Sequence, residues 1–179
     1  MKIEVYSPTI RRREMDAVLT AMVEDKIGPG AQNKFLIHTA KEKIGFDYCV
    51  ALRSPAIALF LALKSLNFEP GQGVIISALS PLYYLRVIED LGLKAIYCDV
   101  FPSTCCMNRE TVEKALNTKP PELSPCCILL YNSLGYISDV SSLAELEIPI
   151  IEDCSQSYGT VIGSAAIGDQ GDTASSTAG

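Results

Sequence analysis

Two neighbouring carboxylates, Glu152 and Asp153, follow an apolar run at Ile148–Ile151 and precede a polar turn. The run has the length and composition of a buried strand. Because ligands bind at the carboxyl ends of parallel strands, a carboxylate there suits a cationic ring nitrogen. Gln156 adds an amide to the same turn. The residues alone leave a second interpretation open, in which Asp153 caps the turn and Gln156 is a surface amide.

Other common site chemistries lack their residues in this chain. No glycine-rich dinucleotide or P-loop motif follows a predicted strand, and His38 is the only histidine. The chain also has no G-x-S-x-G motif, which argues against a Ser-His-Asp hydrolase. Its seven cysteines include no C-x-x-C pair and lie mostly in or beside apolar runs. We therefore expect reduced core thiols and no metal site.

Apolar runs alternate with helical patterns along most of the chain. The predicted strands are Tyr48–Leu52, Val74–Ile76, Ala95–Cys98, Cys127–Tyr131 and Ile148–Ile151. The predicted helices cover 11–26, Lys34–Ile44, Ser54–Leu66, Ser80–Leu91, Asn108–Asn117 and Ser141–Leu146, with Ser54-Pro55 and Ser80-Pro81 as N-cap and first-turn pairs.

This alternation indicates βαβ units, and strands that are apolar throughout indicate burial on both faces. The predicted fold class is therefore α/β, with three α/β/α layers and a mostly parallel sheet. We expect an N-terminal helical arm at 1–45 and an α/β domain at 46–179.

The bulk composition bears on the partners and the location of the protein. The net charge of −6 argues against a nucleic-acid surface, and Arg11-Arg12-Arg13 fits a solvated helix start. No apolar stretch is long enough to span a bilayer, and no signal-peptide core is visible, which predicts a cytoplasmic protein.

The order of the segments and the residues within them resemble those of the DegT/DnrJ-type sugar aminotransferases, which are pyridoxal-phosphate enzymes of fold type I. The matching segments are Lys26–Gly30, Ser54–Leu59, Gly71–Ser77, Gly92–Val100, Gly135 with Asp139, Ile150–Gly159, Ile167-Gly168 and Gly171-Asp172. The resemblance covers about residues 26–173. The Glu-Asp-x-x-Gln block at Glu152–Gln156 is its most specific part.

The resemblance implies a role for each side chain around the cofactor ring. Asp153 would pair with the pyridinium nitrogen, so that the ring can act as an electron sink. Gln156 would donate a hydrogen bond to the phenolic oxygen of the ring. Pro81 aligns with the position at which the family usually stacks an aromatic side chain. Tyr83 or Tyr84 could replace that aromatic side chain, or could equally be a core aromatic.

The phosphate and lysine positions differ from the family pattern. Ser54 and Ala56 align with the phosphate-binding helix start, and Thr177 falls near a phosphate-binding serine. Pro55 removes a backbone donor there, and Ala56 lacks a hydroxyl. The lysine that bonds covalently to the cofactor would lie beyond Gly179, so we expect this chain alone to form no such bond.

By resemblance, the activity is amino-group transfer from an amino acid to a keto-sugar nucleotide with pyridoxal 5'-phosphate, by a homodimer with its active site at the interface. Residues 46–179 would then be an incomplete α/β cofactor-binding domain, truncated before the lysine and without the family's C-terminal domain. The alternative is a non-catalytic relative that serves as a binding or interaction module. A flavodoxin-like or Rossmann-like small-ligand binder is a third option, although no phosphate loop supports it.

Overall fold

The computed structural model describes residues 9–45, 47–158, 160–162, 165–166 and 173–175. The chain divides into two compact units, residues 1–51 and 52–179. The first unit contains helices α1 (Arg12–Val23) and α2 (Ala31–Ile44). Helix α2 ends at Gly45, whose φ of 89° is a left-handed conformation that glycine adopts without strain. None of the described helices has the length and apolar character needed to cross a membrane.

The predicted strand at Tyr48–Leu52 is wrong. These residues form no strand, and the side chains of Tyr48 and Val50 are 91% and 73% exposed. An apolar run becomes a strand only when a neighbouring strand takes up its backbone hydrogen bonds and its side chains are buried. Neither condition is met here. The run therefore resembled a strand in composition alone.

The second unit is built on a parallel sheet. Its strands are β1 (Gly73–Ser77), β2 (Lys94–Cys98), β3 (Pro125–Tyr131), β4 (Ile150–Asp153) and β7 (Thr173–Ser175). They lie in the order β2-β1-β3-β4-β7, and each neighbouring pair is parallel. Two further short strands, β5 (Val161–Ile162) and β6 (Ala165–Ala166), form an antiparallel pair that the sequence did not predict. The predicted α/β class with a mostly parallel sheet is confirmed.

Helices cover both faces of this sheet. Helices α3 (Pro55–Ser65) and α4 (Tyr83–Asp90) pack on one face, and α5 (Arg109–Thr118) and α6 (Val140–Ala144) on the other. Successive strand residues alternate between the two cores. Leu129 packs with α3 and α4, whereas Ile128 and Leu130 pack with α5 and α6. This alternation explains why the strands read as continuous apolar runs.

The helix starts follow the predicted capping chemistry only in part. The Asn108 side chain accepts a hydrogen bond from the Thr111 N–H at the start of α5. Ser54 is the N-cap residue of α3, yet its side chain makes no capping hydrogen bond. Helix α4 begins at Tyr83 rather than at Ser80. The buried hydroxyl of Ser80 has no hydrogen-bond partner in the described part of the chain and so does not cap the helix.

Two leucines of helix α3 allow a matched test of this packing. Leu63 is 1% exposed in the core, and Leu61 on the same helix is 46% exposed. We expect Leu63→Ala to lower the free energy of unfolding by about 2–5 kcal/mol, because it leaves a cavity between α3 and the sheet. Leu61→Ala should change it by less than about 1 kcal/mol. Urea denaturation followed by circular dichroism measures both, and equal losses would contradict the described packing of α3.

Candidate active site

Asp153 is the last residue of strand β4 and lies at the carboxyl end of the sheet. Side chains two residues apart on a strand point to the same face. Asp153 therefore shares the face of Ile151, which packs in the core beneath α3 and α4. Its backbone partner on β3 is Tyr131, the last residue of that strand. Strand β4 therefore places the Asp153 carboxylate at the carboxyl end of the sheet, on the face that helix α4 covers.

The Asp153 carboxylate is held by three donors. The Tyr84 hydroxyl donates to Oδ2 at 2.5 Å, and the Tyr83 hydroxyl donates to the same oxygen at 3.3 Å. The Ser155 backbone N–H donates to Oδ1 at 2.9 Å. Asp153 is 3% exposed and Tyr84 is 1% exposed. A buried carboxylate needs such partners because its desolvation would otherwise cost several kcal/mol.

The two tyrosines are themselves held by aromatic packing. The Tyr84 ring lies edge-on to Tyr83 with centroids 5.0 Å apart, and edge-on to Tyr131 at 6.2 Å. Burial raises the pKa of Tyr84 strongly, and the negative charge of Asp153 raises it further. The same two causes, in the same order, raise the pKa of Tyr83. Both hydroxyls therefore keep their protons and remain donors to Asp153 across the physiological pH range.

Glu152 points to the opposite face, where Asn132 ties the neighbouring loops together. The Asn132 side chain donates to Glu152 Oε2 at 3.5 Å and accepts from the Ser138 N–H at 3.0 Å. The Ser157 hydroxyl donates to the Asn132 carbonyl oxygen at 2.7 Å. These bonds join the end of β3, the loop after it and the turn after β4. They fix the turn that carries Gln156.

Gln156 makes its described contact with that loop. Its Oε1 accepts a hydrogen bond from the Leu134 backbone N–H at 3.1 Å. Leu134 has a positive φ of 54°, a left-handed backbone conformation that residues such as leucine rarely adopt. The hydrogen bond from Leu134 to Gln156 therefore stabilises an uncommon backbone conformation. The structure gives Gln156 a loop-positioning contact, and its role toward a ring oxygen stays a prediction.

At the start of helix α3, backbone donors have no acceptor among the described residues. The first N–H groups of any α-helix lack a partner within the helix. At α3, Pro55 has no N–H, so the remaining first-turn donors are those of Ala56 and Ile57, with no side chain capping them. Such a helix start attracts an anion through its dipole and these donors.

Pro81 lies in the turn before α4, and Thr177 lies outside the described residues.

Cys154, next to Asp153, is not a nucleophile in this setting. Burial raises the pKa of its thiol to about 12, and the charges of Glu152 and Asp153 contribute to the increase. Because the thiolate is the reactive form, this cysteine stays an unreactive thiol near neutral pH.

Comparison with known proteins assigns the chain to a family. The profile of the DegT/DnrJ/EryC1/StrS aminotransferase family matches residues 8–177. The chain belongs to this family. Its members are aminotransferases that depend on pyridoxal phosphate.

Individual relatives agree with this assignment. The L-glutamine:2-deoxy-scyllo-inosose aminotransferase of Streptomyces lividus is 28% identical over 79% of this chain and 33% of its own length. The dTDP-4-dehydro-2,3,6-trideoxy-D-glucose 4-aminotransferase of Saccharopolyspora spinosa is 26% identical over 96% of this chain and 45% of its own. The chain thus spans between a third and a half of the length of these two relatives.

A solved structure shows the same fold. The GDP-4-keto-6-deoxy-D-mannose-3-dehydratase of E. coli, solved with hydrated pyridoxal phosphate, superposes with a TM-score of 0.80 at 20% identity. The match covers 93% of this chain and 44% of that chain. At this identity the likeness establishes the fold, which is that of fold type I pyridoxal-phosphate enzymes.

The described residues fit such a cofactor at two points. A carboxylate at the end of β4 matches a protonated ring nitrogen, and the uncapped start of α3 matches a phosphate group. The fit is weaker at the phosphate, because Pro55 and Ala56 supply fewer donors than the family pattern. Sequence reasoning named Tyr83 and Tyr84 only as stacking or core residues. Their contact with Asp153 follows from the two-residue period of β4, which aims Asp153 at α4.

The tyrosine contacts predict a particular alkaline behaviour. The folded state raises the pKa of Tyr83 and Tyr84 above the unfolded value of about 10. The stabilisation from their protonated hydroxyls is therefore complete below pH 10 and is lost as the pH rises above it. We expect Tyr83 and Tyr84 to stay un-ionised in an alkaline absorbance titration until the protein unfolds. In the Tyr83→Phe/Tyr84→Phe double variant the number of tyrosines that resist ionisation should fall by two, and an unchanged number would contradict the assignment.

Proposed function

We propose that the protein containing this chain transfers an amino group from an amino acid to a keto-sugar or keto-sugar nucleotide, with pyridoxal 5'-phosphate as cofactor. The observation that carries the proposal is the buried Asp153 carboxylate at the carboxyl end of β4. Membership of the aminotransferase family supports it, as do relatives named for sugar or cyclitol substrates and, in one case, for L-glutamine as amino donor. The family resemblance also supports a homodimer.

The residues of this chain would bind the cofactor at opposite ends. Asp153 would accept a hydrogen bond from the ring nitrogen, and its negative charge would favour the protonated ring. The Ala56 and Ile57 N–H groups would bind the phosphate at the start of α3. When bound, the cofactor supplies an electron sink for the carbanion formed from the amino acid. Asp153 is buried at the carboxyl end of the sheet, so water screens its charge only weakly. The charge would therefore act on the ring more strongly than that of an exposed carboxylate.

A second candidate is a non-catalytic aminotransferase-like module for binding or interaction. It is favoured by the start of α3, where Pro55 removes one donor and Ala56 offers no hydroxyl. Each donor lost at a dianionic phosphate weakens binding by about 1 kcal/mol or more. Such a module would keep the parallel sheet and its capped turns without binding the cofactor. The two candidates differ in one measurable property, the affinity for the cofactor.

Pyridoxamine 5'-phosphate is the probe that separates them. It carries the ring nitrogen and the phosphate but no aldehyde, so it cannot label surface lysines covalently. We expect saturable binding by isothermal titration calorimetry. Asp153→Asn should weaken it at least tenfold, because the ring loses a charged acceptor whose hydrogen bond contributes about 1.5–3 kcal/mol.

Asp90→Asn is the matched control, because Asp90 is exposed at the end of α4 and the substitution removes the same charge. Its affinity should equal that of the unaltered chain. Absence of saturable binding, in a chain that circular dichroism shows to be folded, would favour the non-catalytic module. Equal affinities for the unaltered chain and Asp153→Asn would remove the carboxylate from the proposal.

A further inference from the structure

We propose that Tyr83 and Tyr84 form a hydroxyl clamp that fixes Oδ2 of Asp153 and leaves Oδ1 as the oxygen that meets the ring nitrogen. This inference rests on the proposed function, because it assigns two positioning residues to the same site. Neither tyrosine is aligned with a ligand-binding position by the family resemblance. The clamp is a property of the paired tyrosines at the start of helix α4.

A count of acceptor positions supports the assignment of the two oxygens. An ionised carboxylate has two acceptor sites on each oxygen. On Asp153, the two tyrosine hydroxyls fill both sites of Oδ2, and the Ser155 N–H takes one site of Oδ1. Among the described residues no donor fills the second site of Oδ1. An acceptor site for a ring N–H is therefore left on Asp153 while the three described donors keep their places.

The geometry of the tyrosines makes the clamp rigid. Tyr84 is packed among the side chains of α3, β1, β3 and β4, and its ring meets Tyr83 and Tyr131 edge-on. A hydroxyl on so confined a ring cannot follow a carboxylate that rotates. Asp153 is therefore held in one orientation before any ligand arrives. Preorganisation of this kind improves binding because the ligand does not have to order the acceptor itself.

The Tyr83 and Tyr84 contacts are unequal, which gives the clamp an internal comparison. The Tyr84 bond is short and buried, whereas Tyr83 is half-buried and its hydroxyl lies 3.3 Å from the same oxygen. Loss of the Tyr84 hydroxyl should therefore affect Asp153 more than loss of the Tyr83 hydroxyl. A purely space-filling role would be preserved by phenylalanine at both positions. Tyr→Phe substitution thus separates the hydroxyl from the ring.

The test pairs two ligands with these variants. Pyridoxamine 5'-phosphate is compared with its analogue in which carbon replaces the ring nitrogen. The dissociation constant of the analogue divided by that of pyridoxamine 5'-phosphate reports the contact of the ring nitrogen with Asp153. We expect Tyr84→Phe to reduce this ratio by about tenfold, because the released carboxylate no longer presents Oδ1 in a fixed position. Tyr83→Phe should reduce it less, and Tyr97→Phe, an exposed control on β2, should not change it.

Each result has a distinct consequence. An unchanged ratio in Tyr84→Phe would overturn the clamp and leave the proposed function standing. Tighter binding of pyridoxamine 5'-phosphate by Tyr84→Phe would also overturn it, because the hydroxyl would then occupy the place of the ligand. If the unaltered chain binds neither compound, both the clamp and the proposed function are overturned.

A second measurement tests the clamp without a ligand and covers the case in which a variant is too unstable to bind. Melting temperatures are compared for Tyr84→Phe, Asp153→Asn and the double variant. Because each substitution removes the charged hydrogen bond between Tyr84 and Asp153, the loss in the double variant should be smaller than the sum of the two single losses. Additive losses would show that Tyr84 and Asp153 act independently and would overturn the clamp.

Discussion

The site depends on the burial of two consecutive carboxylates at the end of one strand. Because strand side chains alternate, Glu152 and Asp153 enter opposite cores, and neither reaches water. Each then requires its own donors, since an isolated buried charge is very costly. The donors come from different elements on the two faces. Asn132, after β3, serves Glu152, and the first turn of α4 serves Asp153.

This requirement explains the composition of the surrounding loops. The turn after β4 is anchored by Ser157 to the end of β3, and by Gln156 to the strained backbone at Leu134. Backbone groups just beyond the carboxyl end of β3 are thereby paired, although they lie outside the hydrogen-bond ladder of the sheet. The polar residues that follow the buried strands thus belong to the same hydrogen-bond network as the carboxylates. Their hydrogen bonds keep the strand ends in position, so that the buried charges retain the donors that offset their desolvation.

Sequence patterns predicted the layered fold well because the strands, buried on both faces, leave a strong apolar signal. Helix α5 and strand β3 were predicted at Asn108–Asn117 and Cys127–Tyr131, and the structure agrees within two residues at each end. The same signal failed at Tyr48–Leu52, with which none of the described strands pairs. The link between Tyr84 and Asp153 was also missed, because it joins residues 69 positions apart. Only the packing of α4 on the sheet brings them together.

The altered helix start and the paired tyrosines are best understood together. At α3, Pro55 and Ala56 leave fewer donors for a phosphate than the family pattern, which would weaken its attachment at that end by about 1 kcal/mol or more per donor. At the other end, Tyr83 and Tyr84 add two hydroxyls to the carboxylate. A carboxylate fixed before binding spares a ligand the entropy of ordering it, which amounts to about 0.5–1.5 kcal/mol for a side chain. The two effects act in opposite directions, and the loss at the phosphate is the larger because it involves two donors. A chain with these two features would therefore bind such a cofactor more through its ring nitrogen and less through its phosphate than the family pattern implies.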